Sequence, residues 1–172
     1  DFWATWCGPC RKSIPHLSAI QKQYAGQQVN VIGVSIWERT PSAVAPFVLE
    51  RDQNEIAGDE LDYRVATDAV PPLPPGVPEG SPKAAAHAAT GAMARTWMEA
   101  AELQGIPSVF IVDRDGKIAW IGHPLEGMDQ ALAQIAAGTW DLAQARASAE
   151  RAARAEAIVL EIQAKLRGGS VD

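Results

Sequence analysis

The sequence has few cysteines, no long apolar run and no basic stripe, and each absence excludes a class of protein. Only two of its 172 residues are cysteine, so it carries no disulfide framework of the kind that stabilises small secreted domains. No run of about 18 apolar residues predicts a transmembrane helix. The net charge is −6, with acids and bases interspersed, which argues against a nucleic-acid partner. The chain is long enough to bury a core of its own.

The sequence also lacks an initiator methionine and a secretory signal peptide. Residues 1–4 are typical of the middle of an apolar strand, so we interpret the sequence as a fragment or a processed segment. The targeting signal that would identify the compartment then lies outside it.

The two cysteines, Cys7 and Cys10, are separated by only Gly8 and Pro9. A disulfide across so short a loop restricts the unfolded chain very little, so chemistry explains the pair better than stabilisation does. The pair stands at a predicted strand-to-helix junction, where free N–H groups and the helix dipole stabilise a thiolate. We therefore predict that Cys7 has a lowered pKa and attacks, and that Cys10 resolves the mixed disulfide. A zinc half-site and two inert buried thiols are the alternatives, although no second cysteine pair completes a zinc site.

Apolar spacing and β-branched runs predict alternating strands and helices over residues 1–138. The predicted strands are 2–4, 29–36, 61–66, 108–112 and 117–121, and the predicted helices are 8–24, 41–55, 90–103 and 125–135. This order predicts an α/β sheet with helices on both faces. Residues 139–172 form a predicted C-terminal helical extension, with a helix over 141–166.

Residues 69–88 differ from the rest of the chain, because they hold six of its twelve prolines. Pro-rich segments cannot join a strand ladder and tend to be extended or mobile. We therefore expect a mobile insertion with no packed core.

Two segments resemble motifs of the thioredoxin superfamily and of its TlpA-like extracytoplasmic relatives. Residues 1–12, DFWATWCGPCRK, resemble the active-site segment, and Pro15 matches the proline inside the helix that follows it. Residues 105–108, GIPS, resemble the second motif, and a hairpin follows them as in the family. The resemblance covers residues 1–138, apart from the Pro-rich insertion. It implies a thioredoxin-like three-layer α/β/α sandwich that lacks the family's first strand and helix before Asp1.

The resemblance also assigns catalytic residues. It implies that Pro107 follows a cis peptide bond and lies against Cys7, beside Ile106, whose backbone would pair with a substrate strand. Asp1 falls where thioredoxins carry a buried acid that moves protons to and from Cys10. Many TlpA-like relatives instead carry a glutamate three residues after the second cysteine, where this chain has Ser13.

Other residues are expected to form the surface that receives the substrate. The resemblance implies that Trp6 lies on the rim, next to Gly8 and Pro9 between the cysteines. Trp37 and Glu38 follow a predicted buried strand, at the edge of the sheet where α/β proteins place sites.

The resemblance implies an enzyme, a thiol-disulfide oxidoreductase that reduces protein disulfides without a bound cofactor or metal. Its electrons would come from an upstream thiol-disulfide donor, and its compartment would be extracytoplasmic, with the cytoplasm as the alternative. A redox-inactive, partner-binding module attached to a helical-repeat region is the alternative function. A peroxidase of the same fold would need a local cysteine motif that is absent here. The sequence identifies neither the substrate protein nor the donor.

Overall fold

The computed structural model describes residues 1–49 and 61–168. The chain divides into two compact units, Asp1–Ala136 and Ala137–Asp172. The end of the predicted helix 41–55 falls within residues 50–60 and so lies outside the described residues.

Strands and helices alternate along the chain, as the sequence predicts. The strands are β1 (Phe2–Trp3), β2 (Ile32–Ser35), β3 (Arg64–Thr67), β4 (Val109–Val112) and β5 (Ile118–Gly122). The helices are α1 (Gly8–Gln23), α2 (Val44–Leu49), α3 (Pro82–Ala88), α4 (Met128–Ala137) and α5 (Leu142–Gly168), with a 3-10 turn at Pro41–Ala43 and a π-helix at Ala94–Glu99.

The short strand β1 joins two pieces of sheet. On one side it pairs in parallel with β2, where Phe2 lies opposite Val34, and β2 pairs in parallel with β3. On the other side Phe2 forms an antiparallel bridge with Ser108, which immediately precedes β4. The two bridging N–H···O distances are 2.8 Å and 3.3 Å. Strand β4 continues into β5 as an antiparallel hairpin, so β1 is the strand through which both pieces are connected.

Helical segments cover both faces of β1. Adjacent residues of a strand point to opposite faces, and the core divides accordingly. Trp3 packs in a cluster with Ile14 of α1 and Phe47 of α2, whereas Phe2 packs with Met98 of the π-helix. These three layers confirm the predicted α/β sheet with helices on both faces.

The second parallel strand is shorter than the sequence predicts. Strand β2 begins at Ile32 rather than at Val29. The preceding residues bond to a side chain instead of a strand, because the amide oxygen of Gln21 accepts the N–H of Val31 at 2.7 Å. Strand β1 is also too short to pair with residues 29–31. The predicted strand 29–36 therefore begins before the paired residues of β2.

The prediction that residues 69–88 lack a packed core is wrong. The segment contains helix α3, in which Ala84 and Ala88 are buried. Pro82 starts this helix rather than breaking it, because a proline in the first turn loses no helical hydrogen bond. Ser81 is the N-cap, and its hydroxyl oxygen accepts the N–H of Ala84 at 3.1 Å.

Hydrogen bonds also fasten the Pro-rich segment to the rest of the chain. The N–H of Gly80 donates to the carbonyl of Arg39 at 2.7 Å. The hydroxyl of Ser42 donates to the carboxylate of Glu79 at 2.6 Å. Composition alone missed these contacts because each of them comes from a residue distant in sequence.

The helical segment that follows α3 depends on one carboxylate. Asp68 comes directly after β3, and its two oxygens accept the N–H groups of Met93 at 2.7 Å and Ala94 at 3.0 Å. Met93 and Ala94 lie at the start of this helical segment, and the first N–H groups of a helix have no acceptor within the helix itself. Asp68 therefore connects the carboxyl end of β3 to the first turn of the π-helix.

The predicted C-terminal helix is confirmed as α5, which begins after Asp141. The carboxylate of Asp141 accepts the N–H of Gln144 at 2.9 Å, as an N-cap residue does. In the part of the chain that the structure describes, no helix has the length and apolar character needed to cross a membrane.

The role of Asp68 gives a first prediction. Asp68→Ala leaves two helix N–H groups without their acceptor, so we expect the free energy of unfolding to fall by about 1–2 kcal/mol. Urea denaturation followed by circular dichroism measures this change. The matched control is Asp115→Ala in the exposed β4–β5 turn, for which we expect a change within about 0.5 kcal/mol. Equal effects of the two substitutions would contradict the assignment.

Candidate active site

The backbone places Cys7 at the N-terminus of α1. After β1 the chain makes one turn, in which the N–H of Cys7 donates to the carbonyl of Ala4 at 3.1 Å. Cys7 is then the N-cap residue, with an extended backbone conformation. Its Sγ accepts the N–H of Cys10 at 3.2 Å, so the sulfur occupies the position of a capping oxygen. Pro9 lies in the first turn, where proline suits a helix start.

Cys7 and Cys10 form a disulfide, with an S–S distance of 2.03 Å. Cys10 is 1% exposed and Cys7 is 4% exposed, so Cys7 is the more accessible of the two sulfur-bearing residues. The site is thus in its oxidised state. The structure therefore does not contain the two inert buried thiols that the sequence analysis gave as an alternative.

The second motif lies against the first. The Sγ of Cys7 is 3.7 Å from the carbonyl oxygen of Ile106, a residue 99 positions away in the sequence. The Ile106–Pro107 peptide bond is cis. Pro107 shares a shallow groove with Pro9 and Ile106, so two of the four residues that the resemblance assigned to substrate binding line the same groove as Pro107.

A buried carboxylate holds the loop that leads to Cys7. Glu38 is 7% exposed and accepts three hydrogen bonds. Its Oε1 accepts the N–H of Thr5 at 2.7 Å and the hydroxyl of Ser35 at 2.6 Å. Its Oε2 accepts the hydroxyl of Thr5 at 2.8 Å. Glu38 therefore fixes the residue two positions before Cys7 to the carboxyl end of β2.

Trp6 lies on the rim of the site and is 44% exposed. Its indole N–H donates to the carbonyl of Trp37 at 3.0 Å, which fixes the ring. The guanidinium carbon of Arg39 lies 4.8 Å from the centroid of the Trp6 ring. Three successive residues, Trp37, Glu38 and Arg39, thus contact Thr5 and Trp6.

Thr5 and Arg39 are absent from the predicted site, and their contribution depends on tertiary contacts. The signal that indicates Trp37 and Glu38 in the sequence, their position directly after a buried parallel strand, could have been extended to Arg39, the next residue. Trp37 carries a second mark of special geometry, a positive φ of 55°. Such backbone angles are uncommon for bulky residues and concentrate at functional segments.

The structure does not bring the carboxyl group of Asp1 into hydrogen-bond contact with the disulfide. Both carboxyl oxygens are buried and have no hydrogen-bond partner among the described residues. Asp1 instead lines a cavity that is also bordered by Leu17 and Ile20, which lie about two to three turns beyond Cys10 along α1. Ser13, which replaces the glutamate of TlpA-like relatives, donates its hydroxyl to the carbonyl of Cys10 at 2.8 Å. Proton transfer by Asp1 stays a prediction.

Within residues 1–49 and 61–168, no group of three or more His, Cys, Asp or Glu side chains is arranged to hold a metal ion.

Comparison with known proteins gives one family match. The family model described as Redoxin matches residues 1–134. Thiol-disulfide oxidoreductase ResA of Bacillus cereus is 33% identical over 75 residues, which cover 43% of each chain. Thioredoxin of Listeria monocytogenes is 34% identical over 70 residues, covering 37% of this chain and 67% of the relative.

Two further similarities extend over more of the chain. Protein FixW of Rhizobium leguminosarum is 25% identical over 141 residues, covering 81% of this chain and 54% of the relative. A solved structure described as a thiol:disulfide interchange protein DsbE from Chlorobium tepidum superimposes with a TM-score of 0.52 at 20% identity. The superposition covers 78% of this chain and 76% of that chain and shows a common fold. The chain spans less than half the length of the ResA relative.

The contacts of Glu38 give a second prediction. Glu38→Ala leaves the half-buried N–H of Thr5 and the buried hydroxyl of Ser35 without their acceptor, so we expect it to lower the free energy of unfolding by about 1–3 kcal/mol. Glu38→Gln is the matched control, because it keeps an acceptor oxygen and the side-chain shape, and we expect a smaller loss. Chemical denaturation of the two variants measures both values. A loss for Glu38→Ala no larger than that for Glu38→Gln would contradict the role.

Proposed function

The chain belongs to the Redoxin family, and on that premise we propose that it is a thiol-disulfide oxidoreductase that reduces disulfides in protein substrates. The observation that carries the proposal is the Cys7–Cys10 disulfide at the N-terminus of α1, with the carbonyl of Ile106 3.7 Å from the Sγ of Cys7. This arrangement supplies an attacking sulfur, a resolving sulfur one turn away, and a backbone segment that a substrate strand can pair with.

The reaction begins from the dithiol form of the pair. The Cys7 thiolate attacks one sulfur of the substrate disulfide, a Cys7–substrate disulfide forms, and the other substrate sulfur leaves as a thiolate. The Cys10 thiolate then attacks the sulfur of Cys7. The Cys7–Cys10 disulfide forms and the second substrate sulfur leaves, so the substrate gains two electrons and the protein loses two.

Cys7 is assigned the attack because it caps the helix. The first N–H groups of α1 and the positive end of its dipole favour a thiolate at this position, and the Cys10 N–H already points at the Sγ of Cys7. Cys10 is the more deeply buried residue. The disulfide of a protein substrate therefore reaches Cys7 first, and Cys10 reacts afterwards with the sulfur of Cys7.

The partners and the compartment belong to the same proposal. Regenerating the dithiol requires a two-electron donor, and we propose a partner protein that carries its own reactive dithiol. An extracytoplasmic compartment rests on the resemblance of residues 1–12 to TlpA-like proteins. Labelling of Cys7 in intact cells by a membrane-impermeant thiol reagent tests it, and protection of the cysteines until lysis would place the protein in the cytoplasm.

The alternative is a redox-inactive module that binds partners. The observation that favours it is helix α5, along which Ile158, Ile162 and Leu166 are exposed. Reduction of insulin in the presence of dithiothreitol separates the two functions, because only a redox-active pair accelerates the precipitation of the free insulin chains.

The division of roles between the cysteines gives a third prediction. We expect Cys10→Ser to accumulate mixed disulfides with substrates, because attack by Cys7 proceeds and resolution cannot. Cys7→Ser is the matched control and should accumulate none. Non-reducing gel electrophoresis followed by mass spectrometry identifies the adducts. Equal trapping by the two variants would show that the roles are not divided in this way.

The direction of electron flow gives a fourth prediction. Gly8 and Pro9 carry no side chain that can donate a hydrogen bond or hold a charge beside the thiolate, so its stabilisation comes mainly from the helix N-terminus. We therefore expect a reduction potential below roughly −200 mV, more reducing than that of disulfide isomerases. Equilibration with glutathione buffers, followed by quantification of the Cys7–Cys10 disulfide, measures it. A potential near about −120 mV, typical of strong oxidants, would reverse the proposed direction.

A further inference from the structure

Arg39 holds a positive charge at a fixed position on the rim of the site. Its guanidinium carbon lies 4.8 Å from the centroid of the Trp6 ring, within the range of a cation–π contact. Trp6 is itself fixed, because its indole N–H donates to the carbonyl of Trp37. Trp6 immediately precedes Cys7, so the guanidinium stands close to where a substrate must approach.

The backbone of Arg39 is also held in place. Its carbonyl accepts the N–H of Gly80 at 2.7 Å, and the preceding residue, Glu38, is anchored by Thr5 and Ser35. A long side chain normally loses conformational freedom when it binds a ligand. Because both the backbone and the ring under the guanidinium are fixed before binding, that loss is reduced here.

The charge of Arg39 is not neutralised within the described part of the chain. Its side chain forms no ion pair in residues 1–49 and 61–168. Glu38, the residue before it, bonds to Thr5 and Ser35. Glu79, which precedes Gly80, bonds to the hydroxyl of Ser42. The whole chain has a net charge of −6, so Arg39 is a positive charge on a chain that is acidic overall.

We propose that Arg39 binds a carboxylate of the substrate, so that the protein favours disulfides flanked by aspartate or glutamate. The inference rests on the proposed function and names the substrate class for the same site. A guanidinium whose carbon lies over an aromatic ring can still donate its N–H groups to the two oxygens of a carboxylate. Arg39 is thus a specificity residue for the approach of the substrate, while the sulfur chemistry stays with Cys7 and Cys10.

The test uses two disulfide-bonded peptides that differ only beside one cysteine, where one carries Asp and the other Asn. The pre-reduced protein is mixed with each peptide at low ionic strength, and the rate constant of reduction is measured by chromatography of quenched samples. We expect the Asp peptide to react about threefold to tenfold faster, the range for a partly exposed, charge-assisted contact. Added salt should reduce this ratio, because it screens the contact.

Substitutions identify the residue responsible. Arg39→Gln should bring the ratio between the two peptides close to one. Arg39→Lys keeps the charge but loses the planar fork, so it should retain only part of the preference. The control is Lys117→Gln, which removes the same charge from the exposed β4–β5 turn and should leave the ratio as in the unsubstituted protein.

Each outcome decides a different question. Equal rates for the two peptides in the unsubstituted protein would overturn the proposal. A faster reaction of the Asp peptide that persists in Arg39→Gln would also overturn it, and so would an equal loss of that difference in Lys117→Gln. If the reduced protein acts on neither peptide, the proposed reductase function itself fails, and the preference for acidic segments falls with it. The measurements on the unsubstituted protein stand even if Arg39→Gln does not fold.

Discussion

The site depends on the hydrogen bonds on the two sides of β1. This strand is only two residues long, yet it pairs with β2 on one side and with Ser108 on the other. The pairing with Ser108 brings the segment of Ile106 and Pro107 to the loop that follows β1, and so places the Ile106 carbonyl beside Cys7, 99 residues away in sequence. Without that bridge the two motifs would belong to separate pieces of sheet.

Residues after β2 complete the environment of Cys7 from the opposite side. Glu38 bonds to Thr5, and Trp37 and Arg39 contact Trp6. The sulfur of Cys7, to which we assign the attack, therefore stands between two tertiary contacts: the Ile106 carbonyl on one side and the loop held by Glu38 on the other. The helix N-terminus supplies electrostatic stabilisation of a thiolate, and these contacts determine where that thiolate stands and which substrate groups can reach it.

The parts of the structure that depend on local pattern were predictable from the sequence. The helix that starts after Cys7 follows from apolar spacing and from Pro9 in its first turn, and the hairpin of β4 and β5 follows from β-branched runs around a turn. The shortened β2 and the packing of the Pro-rich segment were not predictable, because each depends on a distant partner, such as Gln21 for Val31. For the same reason, pattern alone does not assign a buried carboxylate to Thr5 or a guanidinium to Trp6.

The proposed function requires the protein to pass two electrons from its dithiol to a substrate disulfide. A single-turnover experiment tests it most directly: the pre-reduced protein is mixed with an equal amount of a disulfide-bonded peptide, quenched with an alkylating reagent, and analysed by mass spectrometry. We expect one Cys7–Cys10 disulfide to form for each peptide disulfide that is lost. Persistence of the peptide disulfide with both cysteines alkylated, or loss of the peptide disulfide without formation of the Cys7–Cys10 bond, would contradict it.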